Sequence, residues 1–393
     1  MVRGQRRTWS CLRSEIEPGG RYVWFHASSL GEFEQGRPMM EEIRRRYPQY
    51  KILLTFFSPS GYEVRKDYPG ADVICYLPFD TKRNVRRFLD MARPEMAVFI
   101  KYEFWSNYLT ALKRREVPTY IISAIFRKNQ LFFRWYGAGY RKVLGCFDRL
   151  FVQDAASAEL LARYGVTHVS VCGDTRFDRV TEVRSRAKAI PEIETFAAAA
   201  GDAPARILVA GSSWPQDEAL LIPYFNAHPE LKLIIAPHEI HEEHLRAIEA
   251  QLKRPFVRLS QAGAQGVEGK DCVIIDCFGL LSSVYRYGQV AYIGGGFGAG
   301  IHNVLEAAVY GMPVVFGPNY GKFKEARDLI AAGGGFSVAT PEAFAARMDE
   351  WLTYAEALAA AGECAAGYVG DSIGATEKIL RELEGSGSFK KNA

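Results

Sequence analysis

Residues 24–36 read WFHASSLGEFEQG, and what this stretch joins decides the fold. The run 22–27, YVWFHA, is apolar and rich in aromatic and β-branched residues, as a strand requires. Ser28, Ser29 and Gly31 then supply a bend and a cap, so the strand feeds a helix. A loop of that kind needs Ser and Gly but no carboxylate. A carboxylate here is therefore expected to serve chemistry, with Glu32 the candidate and Glu34 pointing elsewhere once the segment is helical, because residues two apart share no helix face.

The same alternation extends outward along the chain. KILLTFF, DVICYLP, MAVFIK, TYIISAIF, RLFVQD and HVSVCG are short apolar runs separated by longer helix-like stretches. Strands that are apolar on both faces predict a parallel sheet covered by helices. After a polar, Ala-rich region near 181–205 the pattern restarts with ARILVAGS, LKLIIAPHE, DCVIIDC, VAYIGGGFG and MPVVFGP. The expected fold is α/β, with two Rossmann-like parallel-sheet domains over 1–180 and 206–375 joined by a linker, 181–205. A helix end and a frayed tail, 376–393, are expected to follow. Two such domains facing each other leave an interdomain cleft at the carboxyl ends of both sheets, where ligands of open α/β folds bind.

At 393 residues and 48% hydrophobic, the chain has enough material for two cores. Seven cysteines without a C-x-x-C argue against a disulfide framework and a structural zinc site, which points to a reducing cytoplasm. No run approaches the roughly 18 apolar residues of a spanning helix, and the first twenty residues lack a signal-peptide core, so the chain reads as soluble. The net charge of +4 conceals an asymmetry: residues 1–150 carry 27 Lys+Arg against 15 Asp+Glu, leaving the remainder acidic. The first half is thus expected to meet something anionic, which nucleic acid, an anionic membrane face and a phosphorylated substrate all satisfy.

The second half holds the most informative motif, YIGGGFGAGIHNVLEAAVYGMPVVFGP. Its glycines, Gly294, Gly295, Gly296, Gly298 and Gly300, let backbone N–H groups approach a phosphate, and a helix is expected to begin near His302 or Asn303. Glu306, one turn on, suits a ribose diol. The string is neither G-x-G-x-x-G with a ribose acid nor a Walker A loop, and a tight strand-to-helix turn without ligand is its plainer reading. Ser212 and Ser213 in VAGSSWPQDEALL repeat the idea, either capping the next helix or bonding a phosphate oxygen. Arg176 in GDTRFDRV suits an anionic ligand, or an ion pair with Asp174 or Asp178. His238, His241 and His244 are spaced H-x-x-H-x-x-H, but they fan over about 120° of a helix and lack the H-E-x-x-H arrangement, so no metal is expected and His238 reads as a donor facing the cleft. Glu103 follows the MAVFI run at the level of Glu32, where it can orient the first carboxylate, bind a sugar hydroxyl, or simply favour a helix dipole. No D-x-D occurs, which removes support for a metal-bridged diphosphate donor. Arg127, Lys128, Arg134 and Lys142 are interleaved with Phe, Trp and Tyr in FRKNQLFFRWYGAGYRK, a mixture suited to phosphates attached to something apolar. An ordinary amphipathic surface is the alternative, and no RNA-binding signature is visible, so nucleic acid is not an expected partner.

HASSLGEFEQGRP, KYEFWSN, VCGDTRFD, AGSSW and the glycine loop with HN-x-L-E, in that order over about 350 residues, resemble the 3-deoxy-D-manno-octulosonic acid (Kdo) transferases of lipid A and lipopolysaccharide biosynthesis. The resemblance implies an inverting GT-B glycosyltransferase without cofactor, using CMP-Kdo as donor and a lipid A precursor as acceptor, on the cytoplasmic face of the bacterial inner membrane. It carries the catalytic base onto Glu32, the second acidic position onto Glu103, and the CMP site onto the region from Gly294 to Glu306. Two departures stand out: PHEIHEEH replaces the family's arginine-containing P-R-H-P-E-R, and the sequence begins after the point where a membrane-anchoring segment is usual. A UDP-sugar transferase or epimerase, or a membrane-associated binding protein, would share the same broad architecture.

Overall fold

The computed structural model describes residues 2–198 and 206–389. Part of the expected linker, 199–205, and the end of the expected tail, 390–393, lie outside the described residues. Two compact units are present: one comprises residues 1–179 with 372–393, the other 180–371.

The first unit is built on seven parallel strands, β1 (Arg21–Ala27), β2 (Tyr50–Phe56), β3 (Val73–Tyr76), β4 (Met96–Ile100), β5 (Thr119–Ala124), β6 (Arg149–Val152) and β7 (Val169–Val171). They lie in the order β3-β2-β1-β4-β5-β6-β7. All seven apolar runs of the first half are therefore strands. β1 shows why the sheet has helices on both faces. Trp24 packs among Phe88, Phe99 and Tyr108 on one side, while Val23 and Phe25 join Phe33, Met39 and Met40 on the other.

The second unit contains β8 (Arg206–Ser213), β9 (Leu231–Pro237), β10 (Phe256–Arg258), β11 (Cys272–Ile274), β12 (Val290–Ile293), β13 (Val314–Phe316) and β14 (Gly335–Ser337), again parallel, in the order β10-β11-β9-β8-β12-β13-β14. The sequence reading missed β10 and β14. Both are three-residue edge strands whose pattern is too short to carry a period.

The chain's end also departs from expectation. Helix Ala375–Gly385 returns to the first unit, where Ile379, Leu380 and Leu383 enter the same cluster as Val23 and Phe25. Asp178 fixes its start by accepting the N–H groups of Gly374 and Thr376 at 2.6 and 2.7 Å. Residues 386–389 are docked rather than frayed: Phe389 is buried and stacks on Tyr47 with ring centroids 4.1 Å apart. Phe389, together with Ser388, whose hydroxyl hydrogen-bonds that of Tyr120, anchors a segment whose Gly and Ser content reads as tail. Phe389→Ala should therefore lower stability by about 3 kcal/mol, as removal of a buried aromatic does, and shift the urea midpoint downward. An unchanged midpoint would mean that the stacked ring contributes nothing.

Candidate active site

In a parallel sheet the side chains available to a ligand collect where the strand order reverses, because the loops leaving the two central strands diverge there. In the first unit those strands are β1 and β4, and their loops carry Glu32 and Glu103. Lys101, just past β4, holds φ at 63°, an uncommon conformation for a residue with a Cβ, and turns the chain before Glu103.

Helix Leu30–Arg46 starts immediately after the bend, with Ser29 as its N-cap. Glu32 Oε2 accepts the Ser29 N–H at 3.0 Å. The expectation that this loop needs no carboxylate is thus corrected: S-x-x-E is a capping box, and Glu32 satisfies an orphan amide at the helix start. The residue is only half-buried. Burial raises its pKa above the ordinary carboxylate value, the Glu103 charge raises it further, and backbone hydrogen bonds from Ser28 and Ser29 and the nearby His26 oppose the shift. Glu34 is turned to a different side, paired with Arg65 at 2.8 Å and Arg179 at 3.2 Å.

Glu103 is 7% exposed and held from several directions. His26 Nε2 lies 3.1 Å from Oε2, and the Trp105 indole donates to the same oxygen. Burial alone would raise its pKa, but the bonds from His26, Trp105 and Ser28 outweigh it and hold the carboxyl below its ordinary value. His26 is itself fully buried in β1, with Nδ1 2.9 Å from Thr55 Oγ1 and 3.1 Å from the Thr55 carbonyl. The sequence reading passed over His26 because it sits inside an apolar run. A lone polar residue in a strand buried on both faces was the available signal, since such a group must find a partner.

Arg176 folds back on Asp174, with Nε and Nη2 at 2.9 and 2.7 Å from Oδ2. Burial would raise Asp174's pKa, but the Arg176 charge and hydrogen bonds hold it below the ordinary value. The ion-pair alternative is the one seen. Arg127, Lys128, Arg134 and Lys142 are all exposed, on the segment between β5 and β6. Leu131, Trp135, Tyr136 and Tyr140 are exposed among them, Trp135 to 94%.

In the second unit the reversal lies between β8 and β12; Ser212 and Ser213 end β8, and the glycines follow β12. Those glycines serve close approach. A Cβ on Gly294 would fall 2.1 Å from the Ser212 carbonyl oxygen, and one on Gly295, whose φ is +90°, 2.5 Å from the Gly300 oxygen. The amides of Gly294, Gly295, Gly298 and Gly300 are donated within the unit, to Gly211 O, Asp217 Oδ2 and, for the last two, Gly295 O. The expected helix near His302 or Asn303 begins later: Asn303 Oδ1 accepts the Leu305 N–H, and only the single turn Leu305–Ala308 is helical. The side chain of Asn303 donates to Glu306 at 2.9 Å.

Ser212 holds φ at 53°, while Ser213 is buried and donates its hydroxyl to Glu218 at 2.9 Å. The three spaced histidines have separate roles. His244 is buried against Glu218 at 2.9 Å, His241 caps helix Glu242–Gln251, and His238 is exposed, its ring stacked on Trp214 at 4.7 Å and 4.5 Å from His302. No metal-holding cluster of His, Cys, Asp or Glu occurs among the described residues. Trp214, Asp217 and Glu218 were not foreseen, because their roles depend on which loops the sheet order brings together.

Residues 4–179 match the family model described as 3-deoxy-D-manno-octulosonic-acid transferase (kdotransferase). Curated 3-deoxy-D-manno-octulosonic acid transferases align along most of the chain. The Aquifex aeolicus protein is 27% identical, with 84% of this chain and 86% of that protein covered. The Bordetella pertussis protein is 28% identical, with 92% and 86% covered. Among solved structures, a UDP-GlcNAc 2-epimerase from Neisseria meningitidis bound to UDP-GlcNAc superposes with a TM-score of 0.66 at 15% identity, covering 93% of this chain and 100% of that one. The UDP-GlcNAc 2-epimerase from Methanocaldococcus jannaschii gives 0.59 at 11% identity, covering 92% and 99%. At such identities the structural likeness speaks to the fold alone, two Rossmann-like domains each built on a parallel sheet.

The Glu103 site makes a stability prediction. Replacing His26 by Leu leaves a buried carboxylate short of its main partner and should cost about 3 kcal/mol at about pH 7. Because the wild-type carboxyl lies below its ordinary value of 4.5, the stabilisation is present above that value and fades as pH falls through the folded-state pKa. Urea unfolding at about pH 7 and about pH 4 should show the gap between variant and wild type narrowing in acid; a gap independent of pH would rule out the pair as its cause.

Proposed function

We propose that the chain is a Kdo transferase of lipopolysaccharide biosynthesis, like the proteins it resembles, and that it moves Kdo from CMP-Kdo to a phosphorylated lipid A precursor at the cytoplasmic face of the inner membrane. The observation that carries the mechanism is the pair of carboxylates at the β1/β4 reversal, with their proton affinities pushed in opposite directions. Glu32 is the base. It takes the proton of the acceptor hydroxyl as that oxygen attacks the anomeric carbon, the bond to the CMP phosphate breaks on the opposite face, and configuration inverts without a covalent intermediate. Glu103 stays anionic and strengthens Glu32 as a base.

The second unit is proposed to hold the nucleotide, with Ser212, His238, His302, Asn303 and Glu306 as the side chains available to it. Gly294, Gly295, Gly296, Gly298 and Gly300 shape the loop that carries His302 and Asn303. Ser213 and Arg176 enter as supports, since each is committed to a neighbouring carboxylate. The exposed aromatic and basic segment between β5 and β6 is proposed to meet the membrane and the acceptor's phosphates: aromatics sit at the lipid boundary while Lys and Arg attract anionic headgroups. No helix among the described residues is long and apolar enough to cross a membrane. The rival reading, a UDP-sugar epimerase, is favoured only by fold, and protection of the enzyme by UDP rather than CMP would choose it.

Glu32→Gln keeps a capping-box side chain but removes the base, so CMP binding should persist while transfer falls roughly 10²- to 10⁴-fold. Mass spectrometry of product from CMP-Kdo and a lipid A precursor measures this, and transfer within about threefold of wild type would remove Glu32 from the mechanism. Glu103→Gln should move the acidic limb of kcat/KM to lower pH, because it deletes a charge that raises the Glu32 pKa. For the membrane, replacing Arg127, Lys128, Arg134 and Lys142 together by Gln should weaken binding to anionic vesicles by at least about tenfold at low salt, with the difference shrinking as salt rises. Equal binding at low salt would reduce the patch to solvated surface.

A further inference from the structure

The loops after β8, β9 and β12 lie side by side because those strands are adjacent in the sheet, in the order β9-β8-β12. Each contributes one ring. Trp214 follows β8, His238 follows β9 and His302 follows β12, and together they form a compact cluster with centroid separations of 4.7 and 4.5 Å. Two further ties hold it. The Trp214 backbone N–H and the Gly295 N–H both donate to Asp217 Oδ2, at 3.0 and 2.9 Å, so one buried carboxylate fastens the indole-bearing residue and the loop carrying His302. The Tyr292 hydroxyl donates to the other oxygen of the same carboxylate at 2.8 Å.

Within this cluster the Trp214 indole Nε1 lies 3.3 Å from His302 Nε2 in hydrogen-bonding geometry. An indole nitrogen only donates, so the imidazole nitrogen facing it must be bare. A ring protonated on both nitrogens has no such acceptor. We propose that Trp214 is a positioning residue whose indole N–H fixes the His302 proton on Nδ1, so that a neutral N–H donor is offered to an anionic oxygen of the bound nucleotide. The ligand half of this inference rests on the nucleotide reading above, whereas the tautomer half does not. The electrostatics agree: burial first, then the neighbouring His238, push the His302 pKa down to about 4. The other charged groups nearby are occupied, Asp217 as described and Glu306 with the Asn303 side chain. Where the resemblance leads one to expect an arginine in P-R-H-P-E-R, this chain has the cluster of Trp214, His238 and His302.

The test uses the full-length protein labelled with ¹⁵N at its seven histidines, with the His302 resonances assigned by their loss in His302→Gln. At about pH 7 wild type should show a pyrrole-type Nδ1 and a pyridine-type Nε2. Trp214→Phe keeps a stacking ring and removes only the N–H; it should shift the tautomer away from Nδ1–H and weaken CMP affinity about 3- to 10-fold by calorimetry. A wild-type Nε2–H tautomer, or an imidazolium at neutral pH, would overturn the proposal without any variant. An unchanged tautomer in Trp214→Phe would remove Trp214 as its cause. A shifted tautomer with unchanged CMP affinity would overturn the ligand half alone, and absence of CMP binding to wild type would instead count against the nucleotide reading while leaving the tautomer assignment standing.

Discussion

β1 is buried on both faces, and that constraint governs the first unit. A strand in this position cannot leave a polar side chain without a partner, so His26 must bond within the sheet, and it does so sideways to Thr55 of β2 and forward to Glu103 beyond β4. Thr55 in turn accepts the Trp24 indole N–H at 2.8 Å, which lets the largest aromatic of the core lie in the sheet with its one polar atom satisfied. The polar chain that runs through the middle of the apolar sheet therefore ends on the carboxylate at the reversal point. Packing and chemistry are joined there: loosening the core around Trp24 would also loosen Glu103.

The long central strands were legible because burial on both faces imposes uninterrupted apolar runs, and the glycine loop and the Ser-Ser bend marked where strands end. What the sequence withheld follows from the same physics. β10 and β14 are too short for a pattern, and the return of helix Ala375–Gly385 to the first unit depends on apolar residues whose destination no local signal encodes. Glu32 was found for its chemistry and missed as a cap, although S-x-x-E is a local signal. The spacing of His238, His241 and His244 suggested one shared site, but a helix cap, a buried hydrogen bond to Glu218 and an exposed stack separated them, because only His241–His244 begins a helix. The importance of Asp217 was invisible, since two of its three partners come from β12 and the loop after it.

The two carboxylates at the β1/β4 reversal have different proton affinities because their surroundings differ, and the direction of each shift follows from named contacts. Both are substantially buried, so desolvation alone would raise both pKa values and leave neither with a distinct role. Glu103 escapes because three hydrogen-bond donors converge on it, and stabilising its anion costs the surroundings little reorganisation once His26 and Trp105 are fixed by the core. Glu32 receives weaker compensation, from backbone amides of the bend, and also carries the repulsion of the charge that Glu103 retains. The ordering is self-reinforcing: the better Glu103 is stabilised as an anion, the more strongly its neighbour holds a proton. A pair of acids pushed apart in this way divides the work of proton transfer, with one group accepting the proton and the other keeping its charge throughout. The group that remains half exposed and carries the raised proton affinity is Glu32, and this combination is what supports the proposal that it takes the proton of an acceptor hydroxyl.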